Sequence, residues 1–174
     1  VYVLIQRSQS GPTRYVLEVA DQDGYNPRPL LNSPEPIMSP SWAPNGNQVA
    51  YVSFENRQAS IYLEDVATGS RKLLSQFPGI NGAPAWSPDG RRLALVLSKS
   101  GSPNIYVMDV YGKGLTQLTN DFNINTEPSW SPDGRSLIYT SNRSGGPQIY
   151  QINASGGSST RLSYDGDYNA RGSY

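Results

Sequence analysis

The stretch Trp86-Ser87-Pro88-Asp89-Gly90, followed by Arg91-Arg92-Leu93-Ala94-Leu95-Val96, decides how the rest of this chain reads. Proline pre-sets the second turn position, aspartate tolerates the next, and glycine takes the left-handed conformation that sends the chain into a strand. The phrase returns at Trp130-Ser131-Pro132-Asp133-Gly134 and, slightly altered, at Trp42-Ala43-Pro44-Asn45-Gly46. Successive tryptophans are therefore 44 residues apart, and a fixed spacing over a shared phrase marks an internal repeat.

The period extends well past the turn. It runs through Ile61, Ile105 and Ile149, through Tyr62, Tyr106 and Tyr150, and through Asp65, Asp109 and Asn153, which together read as a third strand. Leu74, Leu118 and Leu162 close a fourth. One period earlier, Leu17, Glu18, Asp21 and Leu30 stand in the same places, with a first hairpin about five residues longer than the others. Four short strands per 44 residues, without helical periodicity, predict an all-β fold: a β-propeller of four-stranded antiparallel blades. One such sheet cannot bury both faces by itself, whereas blades stacked around an axis bury each face against a neighbour, with the tryptophan between them. Residues 1–31 read as strands two to four of a blade, 39–74, 83–118 and 127–162 as complete blades, and 168–174 as the first strand of another. About four blades are present, which suggests part of a longer chain or, alternatively, a small ring closed by pairing the last strand with the first three.

Composition removes several chemistries. The 174 residues hold no His and no Cys, so Ser-His-Asp and Cys-His catalysis, thiol redox chemistry and His/Cys zinc sites are not expected. With 14 Lys plus Arg against 14 Asp plus Glu, the positive field that nucleic-acid binding relies on is missing, and no nucleic-acid partner is expected. No apolar run approaches the roughly 18 to 20 residues of a membrane span. The glycines (17) and prolines (14) suit many short elements joined by tight turns.

The phrase Pro-x-Trp-Ser-Pro-Asp-Gly, continuing to Ile105-Tyr106-Val107-Met108-Asp109, resembles the repeat of the TolB family. The stretches Pro36–Trp42, Phe77–Pro84, Asn125–Pro128 and Leu97–Ser102 strengthen the resemblance, which runs the length of the chain; Ala43, Asn45 and Asn153 depart from it mildly. It implies part of a six-bladed propeller that follows a mixed α/β domain not contained in this sequence. It also implies a non-enzymatic adaptor in the periplasm of a Gram-negative bacterium, a setting with which the absence of cysteine agrees. In that family the propeller binds the peptidoglycan-associated lipoprotein Pal near the channel mouth, and colicin translocation segments take the same surface. Outer-membrane integrity, cell division and colicin import depend on it, while other Tol proteins are reached through the N-terminal domain.

Comparing the repeats with one another separates scaffold from decoration. The segments before each first strand, Glu35–Ser39, Gly79–Ala83, Asn123–Glu127 and Asp167–Arg171, differ from copy to copy and converge at one end of the channel. The candidate partner-binding residues there are Ile37, Met38, Ile80, Asn81, Gly82, Ala83, Asn125, Thr126, Glu127, Tyr168 and Arg171. They mix apolar and polar groups in the way of an interface core with a polar border, and the resemblance points to Ile80–Ala83 and Thr126–Glu127. Unconstrained surface loops vary in the same way.

Other residues have structural readings. The aspartate of each phrase is a turn residue, the recurring tyrosines are blade packing, and Asp21–Gly24 and Asp165–Asp167 lack the glutamate that closes an EF-hand loop. No cofactor is expected, although Glu127, Asp167 and backbone carbonyls form a candidate site for a hydrated cation such as calcium. Two alternatives stay open: a gating propeller of a prolyl-oligopeptidase-like serine peptidase, and a small-molecule hydrolase propeller. The first needs a nucleophile elbow in another domain, the second a carboxylate pair deep in the channel. An open arc also leaves unpaired edges that invite self-association.

Overall fold

The computed structural model describes residues 1–7 and 11–174. Each 44-residue period folds into one antiparallel sheet whose strands follow chain order. Blade I is three-stranded: β1 (Tyr2–Gln6), β2 (Arg14–Val19) and β3 (Arg28–Ser33). Blade II is β4 (Ile37–Trp42), β5 (Gln48–Ser53), β6 (Ser60–Asp65) and β7 (Arg71–Ser75). Blade III is β8 (Asn81–Trp86), β9 (Arg92–Leu97), β10 (Asn104–Asp109) and β11 (Thr116–Gln117). Blade IV is β12 (Asn125–Trp130), β13 (Ser136–Ser144), β14 (Gly146–Asn153) and β15 (Thr160–Arg161). The outermost strands β11 and β15 are only two residues long, which limits the unpaired edge each blade shows to solvent.

The ring is open. Segment 168–174 forms no ladder with β1 or with any other described strand, so closure into four blades does not occur. It still lies where a first strand would run beside blade IV: a Cβ on Gly172 would sit 3.1 Å from Ile138 and 3.2 Å from Ile149. The tyrosine hydroxyl of Tyr174 accepts a hydrogen bond from Gln151 Nε2 at 2.7 Å. Its strand character is missing because no second strand stands beside it to pair with. In blade I, Val3 faces Leu17, whereas Val52 faces Ile61 in blade II, which makes the first hairpin five residues longer. Part of its loop, 8–10, lies outside the described residues.

Apolar clusters fill the gaps between blades. Trp86 is buried with Ala43, Val52, Ile61 and Leu63 of blade II and with Leu93, Leu95 and Met108 of its own blade. Trp130 does the same between blades III and IV with Val96, Ile105, Leu137 and Ile152. Each indole N–H also donates across the gap, Trp86 Nε1 to Ser41 O and Trp130 Nε1 to Ala85 O, both at 3.0 Å. Trp42 packs beside Leu17, Val19 and Tyr51 between blades I and II. Leu74 and Leu118 are buried by the blade that follows each, while the equivalent Leu162 is 47% exposed. The recurring tyrosines are buried too, and their hydroxyls meet Asn56, Ser100 and Ser144 at 3.1, 2.9 and 2.8 Å.

The repeated turn owes its shape to one side chain. Ser87 Oγ donates to Asp89 Oδ1 at 2.6 Å, and the same oxygen accepts from the Arg91 N–H at 3.0 Å. Ser131, Asp133 and Arg135 reproduce both bonds at the same lengths, with Gly90 and Gly134 following at φ 67°. Asn45 makes the backbone bond alone, to Asn47 N–H at 3.0 Å. The serine hydroxyl, and after it the backbone N–H, holds the Asp89 and Asp133 carboxyls below the usual carboxylate range.

Two outcomes follow from this scaffold. Trp86→Ala removes an inter-blade side chain and its hydrogen bond, and urea denaturation should show a loss of about 3–5 kcal/mol; a loss below about 1 kcal/mol would contradict the packing role. A carboxyl whose pKa falls on folding adds stability that is present above its unfolded value and lost as pH drops through its folded value. Asp89→Asn with Asp133→Asn should therefore keep the turn at neutral pH, as Asn45 does, and flatten the fall in melting midpoint below the usual carboxylate range. An acid limb as steep as in the unaltered chain would refute this.

Candidate partner-binding rim

The first strands of blades II, III and IV are each interrupted by a bulge, between Met38 and Ser41, Gly82 and Ala85, and Thr126 and Ser129. Inside each bulge stands a non-glycine residue in the left-handed region, at Ser39 (φ 49°), Ala83 (φ 44°) and Glu127 (φ 54°). Proline follows all three, at a position where its missing N–H breaks no ladder bond. Arg171 (φ 54°) continues the series one period further on. Left-handed backbone costs a residue with a Cβ about 1–2 kcal/mol, and glycine would relieve it. No blade uses glycine there. Each pass of the chain instead presents a different side chain at the same point of the channel wall.

These residues line the opening of the channel, a concavity of about 570 Å³ walled by the first strands and by Arg171–Ser173. Glu127 is the one carboxylate on that wall among the described residues. Its Oε1 accepts from Arg171 Nε at 2.7 Å, and its Oε2 accepts from the Arg171 N–H at 3.1 Å and Thr140 Oγ1 at 3.0 Å. Residues 44 positions apart in sequence have become an ion pair around the channel. The expectation of a cation on Glu127 and Asp167 meets a different arrangement, because the guanidinium of Arg171 already supplies the positive charge.

The predicted rim residues divide by exposure. Met38 is 52% exposed, Ile80 47% and Tyr168 74%, and Arg171 also faces solvent, while Gly82, Ala83, Thr126 and Glu127 are half-buried along the channel wall. Three expectations need correction. Ile37, Asn81 and Asn125 are buried and cannot meet a partner directly. Ile37 belongs to the core between blades I and II. The two asparagines pin the rim loops from beneath.

Asn81 Oδ1 accepts from Ser75 Oγ at 2.7 Å and from the Phe77 N–H at 2.9 Å, and its Nδ2 donates to Phe77 O at 2.6 Å. Asn125 Nδ2 donates to Asp121 Oδ1 at 2.8 Å and to Asn104 Oδ1 at 3.0 Å, while its Oδ1 accepts from an Arg143 guanidinium nitrogen at 3.1 Å. Asn169 repeats the motif, donating to Asp165 O at 2.7 Å and to Gln148 Oε1 at 3.1 Å. Arg143 reinforces blade IV through an ion pair with Asp121 at 3.1 Å. The recurrence of asparagine at 81, 125 and 169 was a visible sign of scaffold within segments that otherwise vary. Two exposed apolar residues of the same loops, Phe122 and Ile124, join the rim beside the predicted ones.

Comparison with known proteins agrees with this architecture. The Tol-Pal system protein TolB of Coxiella burnetii is 61% identical over 83 residues, covering 47% of this chain and 19% of that protein. The protein of the same name from Legionella pneumophila (strain Corby) is 58% identical over 82 residues, with the same two coverages. The crystal structure of TolB from Acinetobacter baumannii superposes with a TM-score of 0.89 at 43% identity, over 98% of this chain and 43% of that one. The chain thus spans less than half the length of each of these three relatives. A family profile described as the TolB beta propeller domain matches residues 1–174. The chain therefore belongs to the TolB β-propeller domain family.

Proposed function

We propose that this propeller is a non-enzymatic docking platform of the Tol-Pal system, working in the periplasm, whose channel rim binds the peptidoglycan-associated lipoprotein Pal. The observation that carries the reading is the strained position repeated at Ser39, Ala83, Glu127 and Arg171, where one backbone geometry presents four unlike side chains. Strain kept at equivalent points of several blades is characteristic of sites that bind. Around it, exposed Met38, Ile80, Ile124 and Tyr168 supply apolar contact, and Thr126, Glu127 and Arg171 supply hydrogen bonds and charge. That is the pattern of an apolar interface centre with a polar border. Membership of the TolB family supports Pal as the partner.

The same rim would take colicin translocation segments, and through Pal the chain would serve outer-membrane integrity and cell division. A hydrolase reading finds little support, since a single carboxylate held by an arginine does not make an acid-base pair.

Calorimetric titration with a Pal periplasmic domain tests the proposal. The expected result is saturable binding by the unaltered chain and at least a hundredfold weakening by Ala83→Arg or Thr126→Arg, with the melting midpoint unchanged. Arg171 occupies the position equivalent to Ala83, so the local backbone accepts arginine. Binding of both variants at the unaltered affinity would overturn the reading.

A further inference from the structure

Blades II, III and IV fasten their rim loops with the same clasp, and in blade II one half of it is absent. The main-chain N–H of Phe54, Ser98 and Asn142, at equivalent positions, donates to the carbonyls of Pro36, Ile80 and Ile124. In blades III and IV the side chain at that position returns the bond: Ser98 Oγ accepts from the Ile80 N–H at 2.7 Å, and Asn142 Oδ1 from the Ile124 N–H at 2.8 Å. Blade II has proline at 36, which offers no N–H, so no acceptor is required at 54. Phenylalanine stands there instead.

The consequence is an apolar cleft of about 610 Å³ between blades II and III, walled by Met38, Val52, Phe54, Ala59 and Ile80. The corresponding cleft beside blade IV is about 290 Å³, with Thr140 and Asn142 where blade II has Val52 and Phe54. The larger cleft shares Ile80 and Gly82 with the channel mouth, so whatever covers the rim reaches it without a break. On its lip lies Arg57, exposed, held at φ 59° and paired with no carboxylate among the described residues. An apolar hollow next to a free cation is complementary to an apolar side chain next to a carboxylate.

We propose that this cleft is the anchoring subsite of the rim: it receives one large apolar side chain of the partner protein, and Arg57 pairs with an acidic residue beside that side chain. The inference rests on the protein-docking reading above and adds to it where the anchor goes and what chemistry flanks it. A buried apolar anchor ringed by polar contacts is the usual source of most of an interface's affinity.

Two variants test it by titration with the Pal periplasmic domain. Ala59→Phe fills the cleft from its wall, and Arg57→Glu reverses the charge at its lip. Each should weaken binding tenfold or more without moving the melting midpoint. The loss from Arg57→Glu should shrink as salt is raised, and the loss from Ala59→Phe should not. Arg57 is exposed, so its variant carries the test even where Ala59→Phe disturbs folding. If both variants bind like the unaltered chain while Ala83→Arg still abolishes binding, the rim reading stands and the cleft is not the anchor. If the unaltered chain does not bind, both readings fall together.

Discussion

Every blade after the first leans on its predecessor through a tryptophan, and the rest of the architecture depends on that contact. A four-stranded sheet of this size has two apolar faces and a turn-rich, polar perimeter, so an isolated blade would leave both faces in water. Trp86 and Trp130 settle this by placing a large ring in the gap while handing the indole N–H to a first-strand carbonyl across it. The bond fixes the separation and orientation of neighbouring first strands. Those strands line the channel, so the same contact that buries the core also sets the spacing of the rim. Leu162 shows the converse, for its face of blade IV lacks the cover that keeps Leu74 and Leu118 dry.

On this scaffold the rim combines rigidity with variety. Beneath it, Asn81, Asn125 and Asn169 tie each loop to the preceding blade, through Ser75, Asn104 and Gln148, which keeps the loops from relaxing away the strain at Ala83, Glu127 and Arg171. Above it, nothing repeats except position. One backbone geometry thus accommodates side chains as unlike as those of Ser39, Ala83, Glu127 and Arg171. The pairing of Pro36 with Phe54 shows how such variation is accommodated: losing a donor on one strand removes the need for an acceptor on the next, and an apolar surface becomes available.

Much of the fold was legible because the repeat is written in residue types with distinct conformational roles. Trp, Pro, Asp and Gly at fixed offsets name the gap-filling ring and the turn, and the alternation after Gly90 names the strand. The strand character expected of 168–174 was not realised, since strand pairing depends on a neighbour and not on the segment alone. That the segments before the first strands gather at one end of the channel was readable, and which of their side chains are buried was not. Ile37, Asn81 and Asn125 sit in varied segments and look available, yet burial is a property of the packed loop. The recurrence of asparagine at 81, 125 and 169 was the one sign that it was scaffold. The left-handed series carries almost no mark in its residue types, because Ser39, Ala83, Glu127 and Arg171 share only a following proline, and in the last copy not even that. The Glu127–Arg171 pair was out of reach for a simpler reason: laying successive first-strand segments side by side turns a separation of 44 residues into 2.7 Å.

The central claim is that the end of the channel bearing the inter-blade loops is where a protein partner sits. Backbone amide chemical-shift mapping of the chain on addition of a Pal periplasmic domain addresses it most directly. The account predicts perturbations confined to segments 37–39, 80–83, 122–127 and 168–171, with those around Arg57 alongside them. Perturbations centred on the turns Pro44–Gly46, Pro88–Gly90 and Pro132–Gly134, or along the outer strands β7, β11 and β15, would contradict it.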